Sequence, residues 1–227
     1  MATRAPLSVG EWYHCYNRGF EKSKTYRSSR DYHRFLLLMY LSNGEVPVHI
    51  REKQGWNLYE TLQDSTLERG RPLVEIGAYT LMGNHFHLIL KEIRDGGIAL
   101  FMQKLCTGYT MYFNKKYERT GALFGGTFKS KHLYDDLYLK KAVSYVFLNP
   151  LELFEPRWKD GLGNLAALER RLQEYPYTSL RDFFNNERPE KIIVGNSLDA
   201  LYDRKPAAKE LLAEARAYYQ ERAGTFT

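Results

Sequence analysis

The feature that most constrains the fold is a pair of apolar runs separated only by Gly83 and Asn84. Residues 72–82 (PLVEIGAYTLM) and 85–92 (HFHLILKE) are each long enough for a strand, and a Gly-Asn pair between such runs is typical of a tight turn. Two strands joined by so short a turn pair in the antiparallel direction. The sequence therefore predicts a β-hairpin near the middle of the chain.

The elements on either side of the hairpin follow an order that indicates a fold class. A strand over 11–19 precedes a helix whose candidate cap is Ser29, and a long helix over 96–117 follows the hairpin. A glycine-broken strand or ribbon over 121–134 then leads into a helix over 135–150. This order of strand, helix, two strands, helix and strand predicts an α+β fold. We expect a ferredoxin-like (RRM-like) antiparallel sheet sandwich followed by an extra helix.

Composition shifts predict two parts of the chain. Pro150 marks the end of the last sandwich helix, so we expect a first domain over 1–150. Residues 151–227 then form a small, mostly helical C-terminal extension and a candidate DNA-contacting unit. The polar segment 45–70 is predicted to be a long connection that contains a hairpin or a short helix.

The charge distribution favours a polyanionic partner without identifying it. The 227-residue chain has a net charge of +6 and a pI near 9.1. Residues 1–150 carry 21 Lys and Arg against 14 Asp and Glu, whereas residues 151–227 carry 12 against 13. A bound nucleic acid is therefore expected to contact mainly the first part.

Cysteine usage and hydropathy exclude several classes. The two cysteines, Cys15 and Cys106, have no paired spacing, which argues against a disulfide framework or a thiolate zinc site. The first residues lack the apolar core of a secretory signal, and no apolar run approaches the roughly 20 residues that span a bilayer. We expect a soluble cytoplasmic protein without a membrane partner.

Two short patterns carry candidate chemistry. On a strand, His85 and His87 face the same side while Phe86 points into the core, so the two imidazoles can share a divalent cation. The competing interpretation is a solvated polar face of the strand. Tyr145 and Asn149 are four positions apart on a predicted helix and so lie on one face. Tyrosine can act as a covalent nucleophile, and an asparagine oxygen can bind a hard cation.

Together these patterns resemble a known family. The segments LMGNHFHLIL, YTMYFNKKYERTGALFGGTFKSKHL and YVFLNP, with an early YHCYNRG that contains Asn17-Arg18-Gly19, resemble the single-tyrosine HUH transposases. The similarity is to the branch of REP-associated tyrosine transposases and covers roughly residues 13–150. One departure is FGGTFKS, where Gly125 and Thr127 replace the Gln and Arg that are common in the family.

The resemblance implies a metal-dependent endonuclease and strand transferase that acts on single-stranded DNA with hairpins or palindromic repeats. Tyr145 would be the nucleophile that forms a 5′-phosphotyrosine link and releases a 3′-OH. His85, His87 and Asn149 would hold the divalent metal, Mg²⁺ or Mn²⁺. The implied location is a prokaryotic cytoplasm, on the nucleoid when DNA is bound.

Basic residues interleaved with aromatic ones predict a groove for the DNA backbone. The competing interpretation for each is an ordinary solvated side chain, and His14 is expected only to line the same sheet face. The candidate contacts are Arg18, Lys104, Lys115, Lys116, Arg119, Lys129, Lys131 and Lys141.

Two other functions are also compatible with the sequence. One is a hairpin DNA- or RNA-binding module without chemistry, and the other is a replication initiator or relaxase of the wider HUH group. A homodimer is compatible with the sequence, and the spacing does not decide whether Tyr145 acts in cis or in trans.

Overall fold

The computed structural model describes residues 6–46, 57–184 and 188–224. Its centre is a four-stranded sheet in the order β2-β3-β1-β4, in which all neighbours are antiparallel. In chain order the strands are β1 (Trp12–Arg18), β2 (Val74–Leu81), β3 (His85–Glu92) and β4 (Lys129–Leu133). This order and direction confirm the predicted ferredoxin-like α+β sandwich, and β2 and β3 are the predicted hairpin.

One face of the sheet is covered by α1 (Ser29–Ser42) and α3 (Gly97–Lys116), with the short α2 (Leu58–Gln63) packed on α1. The predicted cap at Ser29 is wrong by one residue. Ser28 is the N-cap, because the carboxylate of Asp31 accepts its backbone N–H at 3.0 Å. The helix α2 is the short helix expected within 45–70, of which residues 47–56 lie outside the described part.

The other face is covered by α4 (Asp136–Leu148) and by the C-terminal part of the chain. The later helices are α5 (Leu151–Phe154), α6 (Leu165–Glu174), α7 (Leu180–Phe184) and α8 (Ala208–Gly224). Ala78 and Ile89 of the sheet share one hydrophobic cluster with α4 and with Leu172 and Leu212 of the C-terminal part. The division at residue 150 stays a prediction, and the two parts share this core.

The C-terminal part also forms hydrogen bonds with β2, one of the two edge strands of the sheet. The backbone N–H of Leu81 donates to the Tyr177 carbonyl at 2.9 Å, and that of Tyr79 donates to Ser179 Oγ at 2.8 Å. These bonds cover part of the exposed edge of β2, which would otherwise present unpaired backbone groups. In the described ranges, no helix is long and apolar enough to cross a membrane.

Candidate active site

Strand alternation builds the floor of a cleft on the α4 face of the sheet. In the register of β1 and β3, Tyr16 lies opposite His87 and Arg18 lies opposite His85. Side chains that are opposite in an antiparallel pair share a face, so these four point the same way. Phe86 points to the other face and is fully buried in the α1 and α3 core, as the alternation predicted.

Helix α4 carries the candidate nucleophile over this floor. The helix begins after Asp135, whose side chain accepts the backbone N–H of Tyr138, and its apolar face buries Val143, Val146 and Phe147. That packing leaves Tyr145 on the cleft side with 36% of its surface exposed. The residue is therefore held by a buried helix while its side chain stays accessible.

The rings of Tyr145 and the histidines are in contact. The Tyr145 ring packs edge-on against His87 and His14, with centroids 5.4 Å and 5.8 Å away. The centroids of His85 and His87 are 5.0 Å apart. The cleft has a volume of about 1160 Å³ and is lined by all four of these residues and by Asn149. The structure thus brings together two pairs of residues separated by about 60 positions in the chain.

Asn149 is buried beside these groups without ordinary hydrogen bonds. Only 3% of its surface is exposed, and neither Oδ1 nor Nδ2 has a protein partner of regular geometry within the described ranges. The side chain is nevertheless close enough to act on its neighbours: it raises the pKa of His85 and lowers that of Tyr145. A buried amide without regular hydrogen bonds is uncommon and calls for a ligand or a water.

Burial keeps the cleft histidines neutral at physiological pH. Desolvation first, and Arg18 second, lower the pKa of His85 to about 4. Desolvation first, then His14, His85 and Arg18, lower the pKa of His87 to about 2. Desolvation and Lys131 lower the pKa of His14 to about 4. A neutral imidazole has a free lone pair, which is the form that binds a metal.

Tyr145 is protonated at neutral pH. Burial raises its pKa above the ordinary value, and the Glu152 carboxylate also raises it, whereas Asn149 and the Lys159 ammonium lower it. The phenol is therefore a weak nucleophile by itself. It needs a positive charge on or near the group it attacks.

Two residues of the cleft were missed in the sequence. Glu152 follows Tyr145 by seven positions and Asn149 by three, so helical spacing could have placed it on the same face. Lys159 Nζ pairs with Glu152 Oε1 at 2.6 Å. It lies beyond a helix break, so no local periodicity relates it to Tyr145.

The donor set fits a hard or borderline divalent cation. His85 and His87 offer two neutral imidazoles, and the unpaired Oδ1 of Asn149 offers an oxygen at the same cleft. No cluster of three or more His, Cys, Asp or Glu that could hold a metal occurs in the described part of the chain. A cation there would bind through this mixed set and keep positions for substrate oxygens, as Mg²⁺ or Mn²⁺ does.

The candidate DNA contacts divide into two groups. Arg18, Lys129, Lys131 and Lys141 line the cleft. In the strand register, Lys129 and Lys131 lie opposite Tyr16 and His14 and therefore share their face.

The other four candidates lie away from the cleft, on or just after α3. Lys116 pairs with the buried Asp31 at 2.6 Å, Lys104 donates to the Gly44 carbonyl, and Arg119 donates to the Ala122 carbonyl at 3.0 Å. Lys115 is exposed on α3. Their role in DNA binding stays a prediction, and Lys116 already has a structural partner.

Comparison with known proteins gives limited information. No family model and no curated protein matches the chain. A solved structure described as a REP-associated tyrosine transposase bound to a REP hairpin is 13% identical, with a TM-score of 0.45. The match covers 91% of this chain and 95% of that one. The functional assignment therefore has to come from the residues of the cleft.

Proposed function

We propose that this protein is a metal-dependent endonuclease and strand transferase for single-stranded DNA, of the single-tyrosine HUH transposase type. One observation carries the proposal: Tyr145, His85, His87 and Asn149 line the same cleft, with the Tyr145 ring against His87. Titratable groups with strongly shifted pKa values that gather in one cleft are typical of functional sites.

The basic residues of the cleft support a nucleic-acid substrate. Arg18, Lys129 and Lys131 extend across β1 and β4 on the face that carries the histidines. Their charges suit a chain of phosphates that crosses the sheet. Tyr218 lines the cleft and is exposed, and such an aromatic ring suits unpaired bases better than a stacked duplex.

The reaction then follows from the positions of the groups. The Tyr145 oxygen attacks the phosphorus of a phosphodiester, a tyrosyl O–P bond forms, and the bond from phosphorus to the 3′ oxygen breaks. The phenolic proton passes to water in the open cleft, and the leaving 3′ oxygen takes up a proton to become a 3′-OH. A cation held by His85, His87 and Asn149 would neutralise charge on the phosphate.

The substrate is proposed to be a single strand that carries a hairpin or a palindromic repeat, and the location to be a prokaryotic cytoplasm. Both follow from the family resemblance of the sequence motifs. We also propose that the protein is a homodimer, which a measurement of its mass in solution would test.

The test is covalent capture of labelled DNA. Incubation with hairpin-bearing oligonucleotides and Mn²⁺ or Mg²⁺ should give an adduct whose mass maps to Tyr145, and Tyr145→Phe should bind the DNA without forming it. The control is Tyr134→Phe, an exposed tyrosine outside the cleft lining, which should react as the wild type does. DNA binding without an adduct in either metal would instead indicate a hairpin-binding module.

A further inference from the structure

The amide of Asn84 fixes the proton of His85. Its Nδ2 donates to the Lys22 carbonyl at 2.9 Å, which determines which end of the amide faces which way. Its Oδ1 therefore faces His85 Nδ1, at 2.7 Å. Because an amide oxygen only accepts hydrogen bonds, the proton of the neutral His85 ring must be on Nδ1. The Nε2 atom of His85 is then a bare lone pair.

The ring of His14 contacts the same atom, Nδ1, of His87. His14 Nε2 and His87 Nδ1 are 2.8 Å apart, so a single proton lies between them. If that proton is on His87 Nδ1, then His87 Nε2 is a free lone pair and His14 carries its own proton on Nδ1. If the proton is on His14 Nε2 instead, His87 carries a proton on Nε2 and cannot bind a cation through that atom.

We propose that His14 and Asn84 are positioning residues that hold His87 and His85 as Nδ1–H tautomers, so that both rings present Nε2 lone pairs at the cleft. The inference rests on the proposed function for the cation, but the tautomers can be measured without it. In both pairs Nδ1 is the atom held by the neighbour. A group that receives the second N–H of a metal-binding histidine sets its ring orientation and its basicity.

The geometry of His14 favours this role over that of a third metal ligand. Its Nε2 atom is engaged with His87 Nδ1 at 2.8 Å, so that atom is not free for a cation bound at His87 Nε2. Its ring also packs against Tyr145, so one side chain limits the movement of both His87 and the nucleophile.

The first measurement is direct. Nitrogen-detected NMR of histidine-labelled, metal-free protein should show His85 and His87 as Nδ1–H tautomers at neutral pH. His132, which is paired with Glu11 outside the cleft, serves as an internal reference, and the variant His132→Gln identifies its signals. A proton on Nε2 of either cleft histidine overturns the inference, whatever the protein does with metal or DNA.

The second measurement is metal affinity by calorimetry with Mn²⁺. We expect His14→Leu and Asn84→Ala to weaken binding by about 10–100-fold each. His14→Gln keeps an acceptor oxygen and should recover most of the affinity, and His132→Gln should bind as the wild type does. Wild-type affinity in His14→Leu would overturn the positioning role of His14.

The two hypotheses fail in different ways. If His85→Ala binds Mn²⁺ as tightly as the wild type, the proposed cation site is wrong, and the NMR result still decides the tautomers. If His85→Ala no longer binds Mn²⁺, while His14→Leu keeps the His87 tautomer and the Mn²⁺ affinity of the wild type, the proposed function stands and this inference does not.

Discussion

Two buried polar side chains on opposite sides of the sheet, Asp31 and Asn149, differ in how their hydrogen bonds are satisfied. Under α1 and α3, Asp31 is fully buried and accepts hydrogen bonds from Lys116 Nζ at 2.6 Å and Tyr117 Oη at 2.7 Å. Under α4, Asn149 is almost as deeply buried, but its amide has no regular hydrogen bond. Since native proteins satisfy nearly all buried polar groups, the difference marks Asn149 as a side chain that a ligand or a water would complete.

A second buried asparagine strengthens this contrast between the faces. Asn43, on the α1 side, is 8% exposed; its Oδ1 accepts two backbone N–H groups and its Nδ2 donates to the Val74 carbonyl at 3.0 Å. Asn43 therefore connects α1 to β2, whereas Asn149 makes no regular hydrogen bond and lies beside His85 and Tyr145. We interpret Asn43 as a structural residue and Asn149 as a functional one.

The largest expected effect on stability comes from removing the carboxylate of Asp31. Asp31→Ala should lower the free energy of unfolding by about 3–5 kcal/mol, because it leaves the donors of a buried ion pair without an acceptor. Urea unfolding followed by circular dichroism measures the loss. The exposed Asp95→Ala should change stability by no more than about 0.5 kcal/mol. Equal losses in the two variants would mean that the Asp31 network is not stabilising.

The next effect tests the two asparagines against each other. Asn149→Leu should raise the free energy of unfolding by about 1 kcal/mol, since it removes a buried amide without regular hydrogen bonds, and should abolish metal-dependent cleavage. Asn43→Leu should lower stability by about 2 kcal/mol, because two backbone N–H groups lose their acceptor. A loss of stability in Asn149→Leu similar to that in Asn43→Leu would contradict the functional role of Asn149.

The pH dependence of stability should separate the faces in a metal-free buffer with chelator. Burial would raise the pKa of Asp31, but the hydrogen bonds from Lys116 and Tyr117 prevail and its folded pKa lies below 3.8. Its contribution is present above that value and is lost as pH falls further. The folded pKa values of His14 and His85 are lowered from 6.5 to about 4 and that of His87 to about 2. Their contribution is therefore present above 6.5 and is lost on acidification, down to about 4 for His14 and His85 and to about 2 for His87.

Two variants test which residues cause the loss of stability in each pH range. The double variant His85→Ala/His87→Ala should reduce the loss of stability that begins below pH 6.5, with His14 as the remaining cleft histidine. Asp31→Asn should leave the profile between 6.5 and about 4 unchanged and flatten it only below 3.8. The measurement is urea unfolding across the pH series. A profile of the histidine variant that matches the wild type would show that the imidazoles are not held neutral.

The smallest effect concerns single DNA contacts. Lys131→Ala, in the cleft, should weaken binding of a hairpin oligonucleotide and reduce the dependence of log affinity on log salt by about 1. Lys115→Ala, exposed on α3 at the other face, should leave both unchanged. Fluorescence anisotropy at several salt concentrations measures the slopes. A larger effect of Lys115 would move the DNA path to the α3 face.

Local patterns explain how much the sequence could predict. The hairpin around Gly83-Asn84, the order of strands and helices and the face taken by Phe86 follow from periodicity and turn preference, and the structure confirms them. The cap of α1 was assigned one residue late, because Ser28 and Ser29 are both good caps and only the bond to Asp31 distinguishes them.

Non-local contacts explain what the sequence could not predict. Lys116 belongs by composition to a basic segment, yet it pairs with Asp31, which is 85 positions earlier in the chain. Lys159 reaches the neighbourhood of Tyr145 only because the C-terminal part folds back on α4. Neither position carries a local pattern, since the partner is supplied by another element.

The sequence by itself determined two local pairs: His85 with His87 on one strand face, and Tyr145 with Asn149 on one helix face. Periods of two and of about 3.6 residues fix such neighbours within a single element. Only the tertiary structure decided that the pairs share a cleft, that His14 reaches His87 and that Asn149 is buried without a partner. Distances between elements depend on how the sheet and α4 pack, and no spacing along the chain contains that information.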